Sequence, residues 1–204
     1  MHPSSAGSPA TRFPTRLYRA VAVLVAVFVA VSCEGAYVIS RVAPNEIRAS
    51  ASFICRIFQE EGYFESDPAV LAQHTDETEV LLTDNIVKFP SKVPGFHCAV
   101  FKAHRNDKFV GLAQVLTDNS SPRRAVLQNL GVSREYRRIG LGKLLVDACE
   151  KAVASEFGGQ TQLWLNVEDD NDAAISFYLS LGYVSADGDS GGGFGSRMFV
   201  KKLA

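Results

Sequence analysis

Arg137-Arg138-Ile139-Gly140-Leu141-Gly142-Lys143 concentrates three cations and two glycines in seven residues. Glycine lets the backbone turn without a Cβ clash and lets a ligand approach the main chain closely. The stretch stands where a strand gives way to a helix, and the free N–H groups of a helix N-terminus favour anions. Arg137, Arg138 and Lys143 add full charges to that field. Such a loop suits a phosphate or pyrophosphate; the plainer alternative is an ordinary charged helix start. Spacing excludes two nucleotide loops. GxxxxGK[ST] needs glycine at 137 and a hydroxyl residue at 144, where Arg137 and Leu144 stand, and GxGxxG needs glycine at 145, where Leu145 stands. No HExxH stands in the chain, so zinc chemistry lacks support, and Gly188-x-Ser190-x-Gly192 has the GxSxG spacing only inside a glycine-rich loop between two strands, not at the strand-to-helix turn a hydrolase nucleophile needs. Cys33, Cys55, Cys98 and Cys149 have no metal spacing, so no metal is expected. A disulfide stays open as the alternative if the body of the chain is luminal.

Arg137-x-x-Gly140-x-Gly142 matches the R/Q-x-x-G-x-G/A signature of the GNAT N-acetyltransferase superfamily. A second block runs from Leu163 through Asn166, Glu168, Asn171 and Tyr178 to Gly182 and Tyr183. It resembles that family's strand–Asn–helix–Tyr–Gly–aromatic block in order and spacing. The resemblance covers about Tyr37 to Ala204, with 62–95 matching in place only, and on it the chain is identified as a member of the superfamily.

The resemblance implies acetyl-CoA as acyl donor and direct attack by a primary amine, on a small molecule or a protein. The pyrophosphate would lie on Arg137, Arg138, Ile139, Gly140, Leu141, Gly142 and Lys143. The pantetheine arm would run beside Leu130, Gly131 and Val132, with Asn171 capping a helix and touching it, where the sheet opens toward strand 162–167. A backbone N–H near Leu130 or Val132 would hold the oxyanion. Tyr178 stands where the family keeps the acid that protonates the departing thiolate, and would touch the cofactor too; a buried aromatic is its plainer role. A lysine-like amine has a pKa near about 10.4, so a base must take its proton. Relatives acting on protein N-termini often carry Glu where Asn166 stands, and Asn cannot do that work. Glu168, on the same strand face, is the substitute, against a merely solvated Glu168-Asp169-Asp170 cluster. His97 is a further candidate base; Cys98 beside it points to the opposite strand face, which argues against a dyad. The acceptor would meet Glu60–Glu65 and Asp187–Phe194, two acidic stretches in which Tyr63 and Phe194 could face a cation. A non-catalytic acetyl-CoA-binding sensor or scaffold is the rival reading.

Positioning these groups takes a particular set of elements. Periodicity predicts strands at 37–42, 97–104, 109–116, 125–132, 162–167, 183–186 and 198–202. It predicts helices from Asn45, as cap, to about Glu61, at 140–157 and at 171–181, with only a short helix at 69–73 inside 62–95. Gly131 inside its strand hints at a bulge. The fold class is α/β: a mixed, mostly antiparallel sheet, splayed at a bulged central strand and flanked by helices.

Length and charge set the frame. The 204 residues fit one domain, 36–204, behind a head, 1–35. Apolar residues make 47% and charged residues 21%, as in globular proteins, and a net charge of −1 does not point to nucleic acid. The head holds Arg12, Arg16 and Arg19, while all 22 acidic residues stand at or beyond Glu34. Residues 20–31 are continuously apolar, too few for a comfortable span. The head reads as a signal or transit segment, with plastid or endoplasmic reticulum favoured. A single-pass anchor through 20–33, tethering an interaction protein, is the alternative and the one route to membrane contact. Oligomeric state is not legible.

Overall fold

The computed structural model describes residues 37–106, 108–118, 124–186 and 195–204. The chain runs β1 (Val38–Arg41), α1 (Ile47–Glu60), α2 (Pro68–Thr83), α3 (Phe89–Lys92), β2 (Cys98–Arg105), β3 (Lys108–Thr117) and β4 (Ala125–Val132). It continues through α4 (Leu141–Glu156), β5 (Gln162–Glu168), α5 (Asp172–Ser180), β6 (Val184–Ser185) and β7 (Ser196–Lys202). One sheet has the order β1-β2-β3-β4-β5-β7-β6. Every pairing is antiparallel except β4 with β5.

Strand alternation gives the sheet two buried faces. Ala99, Ala113, Val115 and Leu165 face α4, which buries Leu141, Leu145, Val146, Cys149, Ala152 and Val153 against them. Val100 and Leu112 face the other way, onto Ile47, Ala51, Phe53, Ile54 and Ile57 of α1 and Leu82 of α2. Truncating a buried side chain such as Ile54, 1% exposed, to alanine costs about 2–5 kcal/mol.

The parallel pair is the exception that makes room. Only Ala125 with Leu163 and Val126 with Trp164 are in register, and beyond them the two strands part. An added kink in β4 turns it further. Leu112 pairs with Gly131 and Gln114 with Gln128, so two steps along β3 face three along β4. The extra residue is Asn129, in the left-handed region at φ +53°. The bulge predicted at Gly131 therefore lies two residues earlier. Gly131 is small for another reason: a Cβ there would come within 2.9 Å of Ile54 Cδ1 and 3.2 Å of Ile57 Cγ2, so α1 lies directly on it.

Two further expectations are corrected, and the open alternative of a disulfide is narrowed. Residues 62–95 hold a sixteen-residue helix, α2, not a short one at 69–73. Its start is a capped one, with Asp67 Oδ1 accepting from Ala69 N–H at 2.6 Å and Pro68 in the first turn. It fully buries only Thr75 and Leu82 and leaves Val80 and Leu81 exposed, so it carries little 3.6-residue apolar periodicity. A π-turn at Asp84–Lys88 joins it to α3. Asn45 does not cap α1. It sits in a 3-10 turn, Pro44–Glu46, and Glu46 accepts from Ala43 N–H at 2.9 Å while pairing with Lys102. Cys55, Cys98 and Cys149 are free thiols, so no disulfide joins the described residues. The head, Cys33 and Phe194 lie outside those residues, and among those described no helix is long and apolar enough to cross a membrane.

Candidate functional site

A cavity of about 850 Å³ opens where β4 leaves β5. Its floor is Leu130, Gly131 and Val132 at the end of β4; its walls are the end of α1 with the loop behind it, the 136–143 loop, and α5. Cofactor sites of roughly 300–1,000 Å³ are typical, so a ligand of that class fits.

The loop into α4 is shaped for an anion. Gly140 occupies the N-cap at φ +91°, a conformation an L side chain resists, and it brings no side chain to accept from the first-turn N–H groups. The first helical bond is Leu144 N–H to Gly140 O, at 3.1 Å. Arg138, also left-handed at φ +65°, lines the cavity and makes no ion pair among the described residues. Lys143 lines it too, with its ammonium 3.0 Å from Asp147. Arg137 is held twice: its Nε donates to Val132 O at 2.9 Å and a terminal N–H to Glu61 Oε1 at 2.8 Å. Arg134 reaches the same carboxylate oxygen at 3.3 Å and also the carbonyl of Glu60. The bond from Arg137, outweighing partial burial, holds the Glu61 carboxyl below its usual pKa. Glu61 therefore clasps the α1 end to the anion loop. It had no signal of its own in the sequence, being one of several acids in 60–65.

Across the cavity, Asn171 does double duty. Its Oδ1 accepts from Ala174 N–H at 3.0 Å, capping α5 as expected. The Tyr63 hydroxyl interacts with both the Asn171 side chain and the Glu168 carboxylate, and burial followed by Glu168's charge pushes its pKa up. Tyr63 leans on Phe58 with ring centroids 5.4 Å apart. Tyr63 and Glu168, read separately from sequence, thus meet at the cavity rim.

Of the expected cofactor residues, the cavity gathers Leu130, Gly131, Val132, Arg137, Arg138, Gly140, Gly142, Lys143 and Asn171. Ile139 points outward, half exposed, and the Leu141 side chain is buried in the core, so these two offer backbone alone. Tyr178 is buried against Phe177 and Tyr183, with ring centroids 5.1 and 5.6 Å away, rather than on the cavity wall. Burial, with Cys149 beside it, raises the phenol pKa, so it stays protonated at neutral pH. Asn166 donates to Ser196 Oγ at 2.9 Å.

His97 is corrected. It stacks on Phe157, centroids 5.3 Å apart, beyond the C-terminal end of α4. The anion loop opens the other end of that sixteen-residue helix, about 24 Å away. The sequence reading also missed Ile57, Phe58, Tyr136 and Phe177 on the cavity wall. Their helical spacing marks the first two and Phe177 as packing residues, and nothing in sequence brings them to one cavity.

Comparison with known proteins agrees with this geometry. Residues 54–183 match the family model described as Acetyltransferase (GNAT) family. The [Ribosomal protein bS18]-alanine N-acetyltransferase of Escherichia coli is 37% identical over 92 residues, covering 42% of this chain and 55% of the relative. The Drosophila melanogaster "Probable N-acetyltransferase san" is 31% identical over 86 residues, covering 42% and 46%. The chain thus matches about half the length of these curated relatives. Among solved structures, Thermoplasma acidophilum PaiA N-acetyltransferase in complex with coenzyme A superposes with a TM-score of 0.63 at 19% identity, covering 82% of this chain and 99% of that one. A GNAT-family acetyltransferase of Staphylococcus aureus Mu50 gives 0.60 at 18%, covering 83% and 100%. At these identities the two structures speak for the fold.

Proposed function

Because the chain belongs to the GNAT acetyltransferase family, we propose that it transfers an acetyl group from acetyl-CoA to a primary amine. One observation carries the reading: a single cavity joins the edge of β4 at Leu130–Val132, which no described strand covers on the β5 side, to the glycine-capped start of α4 with Arg138. An extended arm ending in a pyrophosphate matches that combination. The curated relatives' names, one of them specifying an alanine of a ribosomal protein, support an amine acceptor.

Acetyl-CoA supplies a thioester whose acyl carbon an amine can attack. The chain's own groups would do the rest. First-turn N–H groups of α4, Arg138 and Lys143 bind the pyrophosphate. Main-chain groups of Leu130–Val132 orient the arm, and an N–H there faces the acyl oxygen as it gains charge. The Glu168 carboxylate, beside Tyr63, takes the ammonium proton at the rim. Tyr178 is buried beside Phe177 and off the cavity wall, so it supports that wall, and the departing thiolate takes the proton that the new amide nitrogen sheds.

The test is thiol release from acetyl-CoA on adding a panel of small amines and N-terminal peptides, with Glu168→Gln alongside. Amine-dependent release, slowed in Glu168→Gln, is expected. Binding of acetyl-CoA without release from any amine would instead favour a sensor or scaffold, the reading that Asn166 in place of Glu supports. For the head we propose a targeting segment directing the protein to plastid or endoplasmic reticulum, or else an anchor. Mass spectrometry of the native N-terminus separates them, since a start near Cys33 means cleavage.

A further inference from the structure

Gln114 is 1% exposed in the middle of the sheet, where its neighbours Leu112, Ala113 and Val115 are apolar. An amide buried there costs stability unless both its ends are partnered. Both are. Its Oε1 accepts from Asn129 Nδ2 at 2.7 Å, and its Nε2 lies 3.6 Å from Cys98 Sγ. Burial lifts the Cys98 thiol to a pKa of about 11, so it remains a neutral, weak partner. A line of three polar side chains therefore crosses β2, β3 and β4 on the α1 face and ends at Asn129.

Asn129 is the bulge residue. It is the extra member of β4 between the rungs Leu112–Gly131 and Gln114–Gln128, and it holds a left-handed φ of +53°. A glycine would take that conformation more readily; what asparagine adds is the side chain tied to Gln114. The residues that follow are Leu130, Gly131 and Val132, the cavity floor. Their backbone direction depends on where the bulge sits, because a slip of one residue turns every following group to the other face.

We propose that Gln114 and Asn129 are positioning residues that lock the β4 bulge in register and so aim the Leu130–Val132 main chain at the arm and acyl group of the bound donor. This rests on the acetyl-CoA reading. Neither side chain touches the ligand; they act through the strand. The lock concerns the arm and not the pyrophosphate, which the α4 loop holds independently.

Two ligands separate those parts. Acetyl-CoA carries arm and pyrophosphate, whereas ADP carries a diphosphate without the arm. Dissociation constants for both would be measured calorimetrically for wild type, Gln114→Leu and Asn129→Gly. Glycine keeps the left-handed φ without strain, so that variant tests the tie even where the leucine variant folds poorly. The expected result is acetyl-CoA binding weakened by about fivefold to tenfold, the loss of roughly one hydrogen bond, with ADP binding changed by less than about twofold. Unchanged acetyl-CoA binding in a folded Asn129→Gly protein overturns the lock and leaves the acetyl-CoA reading standing. Equal loss of both ligands also overturns it, because the pair would then only support the fold. Wild type that binds ADP as tightly as acetyl-CoA overturns the lock and the reading beneath it together.

Discussion

Replacing Glu61 by glutamine should make the protein slightly less stable and its grip on acetyl-CoA tighter. Glu61 takes bonds from Arg137 at 2.8 Å and Arg134 at 3.3 Å, with side-chain exposures of 34% for the carboxylate and 36% and 61% for the arginines. Partly exposed pairs of this kind contribute about 0.2–1 kcal/mol each. A combined loss of about 1 kcal/mol would lower the melting temperature by about 2–4 °C in a domain of this size. On the proposed reading, Arg137 also lines the pyrophosphate site, so the same carboxylate would compete with the ligand for it. Removing it spares the ligand the cost of breaking that pair, about 1 kcal/mol, or roughly fivefold in Kd. The effect is electrostatic and should shrink as salt is raised. It should also shrink in acid. A carboxyl held below its usual value stabilises the fold fully above the unfolded value of 4.5, and that contribution fades as pH drops through the folded value. Wild type and Glu61→Gln should therefore converge well below pH 4.5 and differ most near neutrality. Calorimetric titration with acetyl-CoA and thermal unfolding, each at two salt concentrations, read both quantities. A variant that loses stability and binds acetyl-CoA more weakly would refute the competition and remove Arg137 from the anion site.

Gly142→Asp should abolish acetyl-CoA binding, since a Cβ there meets the Phe177 ring at 3.2 Å and the new carboxylate opposes the anion. In a thermal-shift assay the wild type at 100 times Kd gains about 2.7 kcal/mol, and the variant should gain nothing. Gly131→Ala pushes a methyl against Ile54 and Ile57 and should cost about 1–3 kcal/mol in urea unfolding; an unchanged midpoint would mean that α1 moves freely. Tyr178→Phe should leave kcat and acetyl-CoA affinity nearly unchanged, as expected of a buried phenol off the cavity wall. A loss of kcat alone would instead put its hydroxyl at the leaving sulfur.

The anion loop was legible because its signal is local. Glycine spacing and charge within seven residues sufficed to place Gly140 at the cap and Arg138 on the cavity. Strands were legible where one face or both are uniformly apolar, as in β3 and β5. α2 was not, because its exposed Val80 and Leu81 blur the periodicity and its real signal was the Asp67-Pro68 cap. The bulge was legible in kind but misplaced: Gly131 drew attention, while Asn129 carries the positive φ and is fixed by a partner fifteen residues away. Glu61 and Tyr63 show the other limit. Both lie in a charged loop that reads as solvated, and only the return of β4 and α5 to the end of α1 gives them partners.

The two rungs between β4 and β5 also bear on how the molecule unfolds. β1–β4 form one half-sheet and β5, β7 and β6 another, and the main-chain ladder between them amounts to Ala125–Leu163 and Val126–Trp164. Side chains couple the halves in the core under α4, which packs on Ala113 of β3 and Leu165 of β5, whereas beyond the two rungs nothing among the described residues bridges the main chains. Native-state hydrogen exchange of the ligand-free protein should then sort the amides into a well-protected set in the shared core and a less protected set beside the gap, at Leu130–Val132 and Asn166–Glu168. A ligand lying along the gap touches both halves and stabilises only the state in which both are formed. Adding it should merge the two sets into one, so that the substrate completes the cooperativity of the fold as well as filling its site.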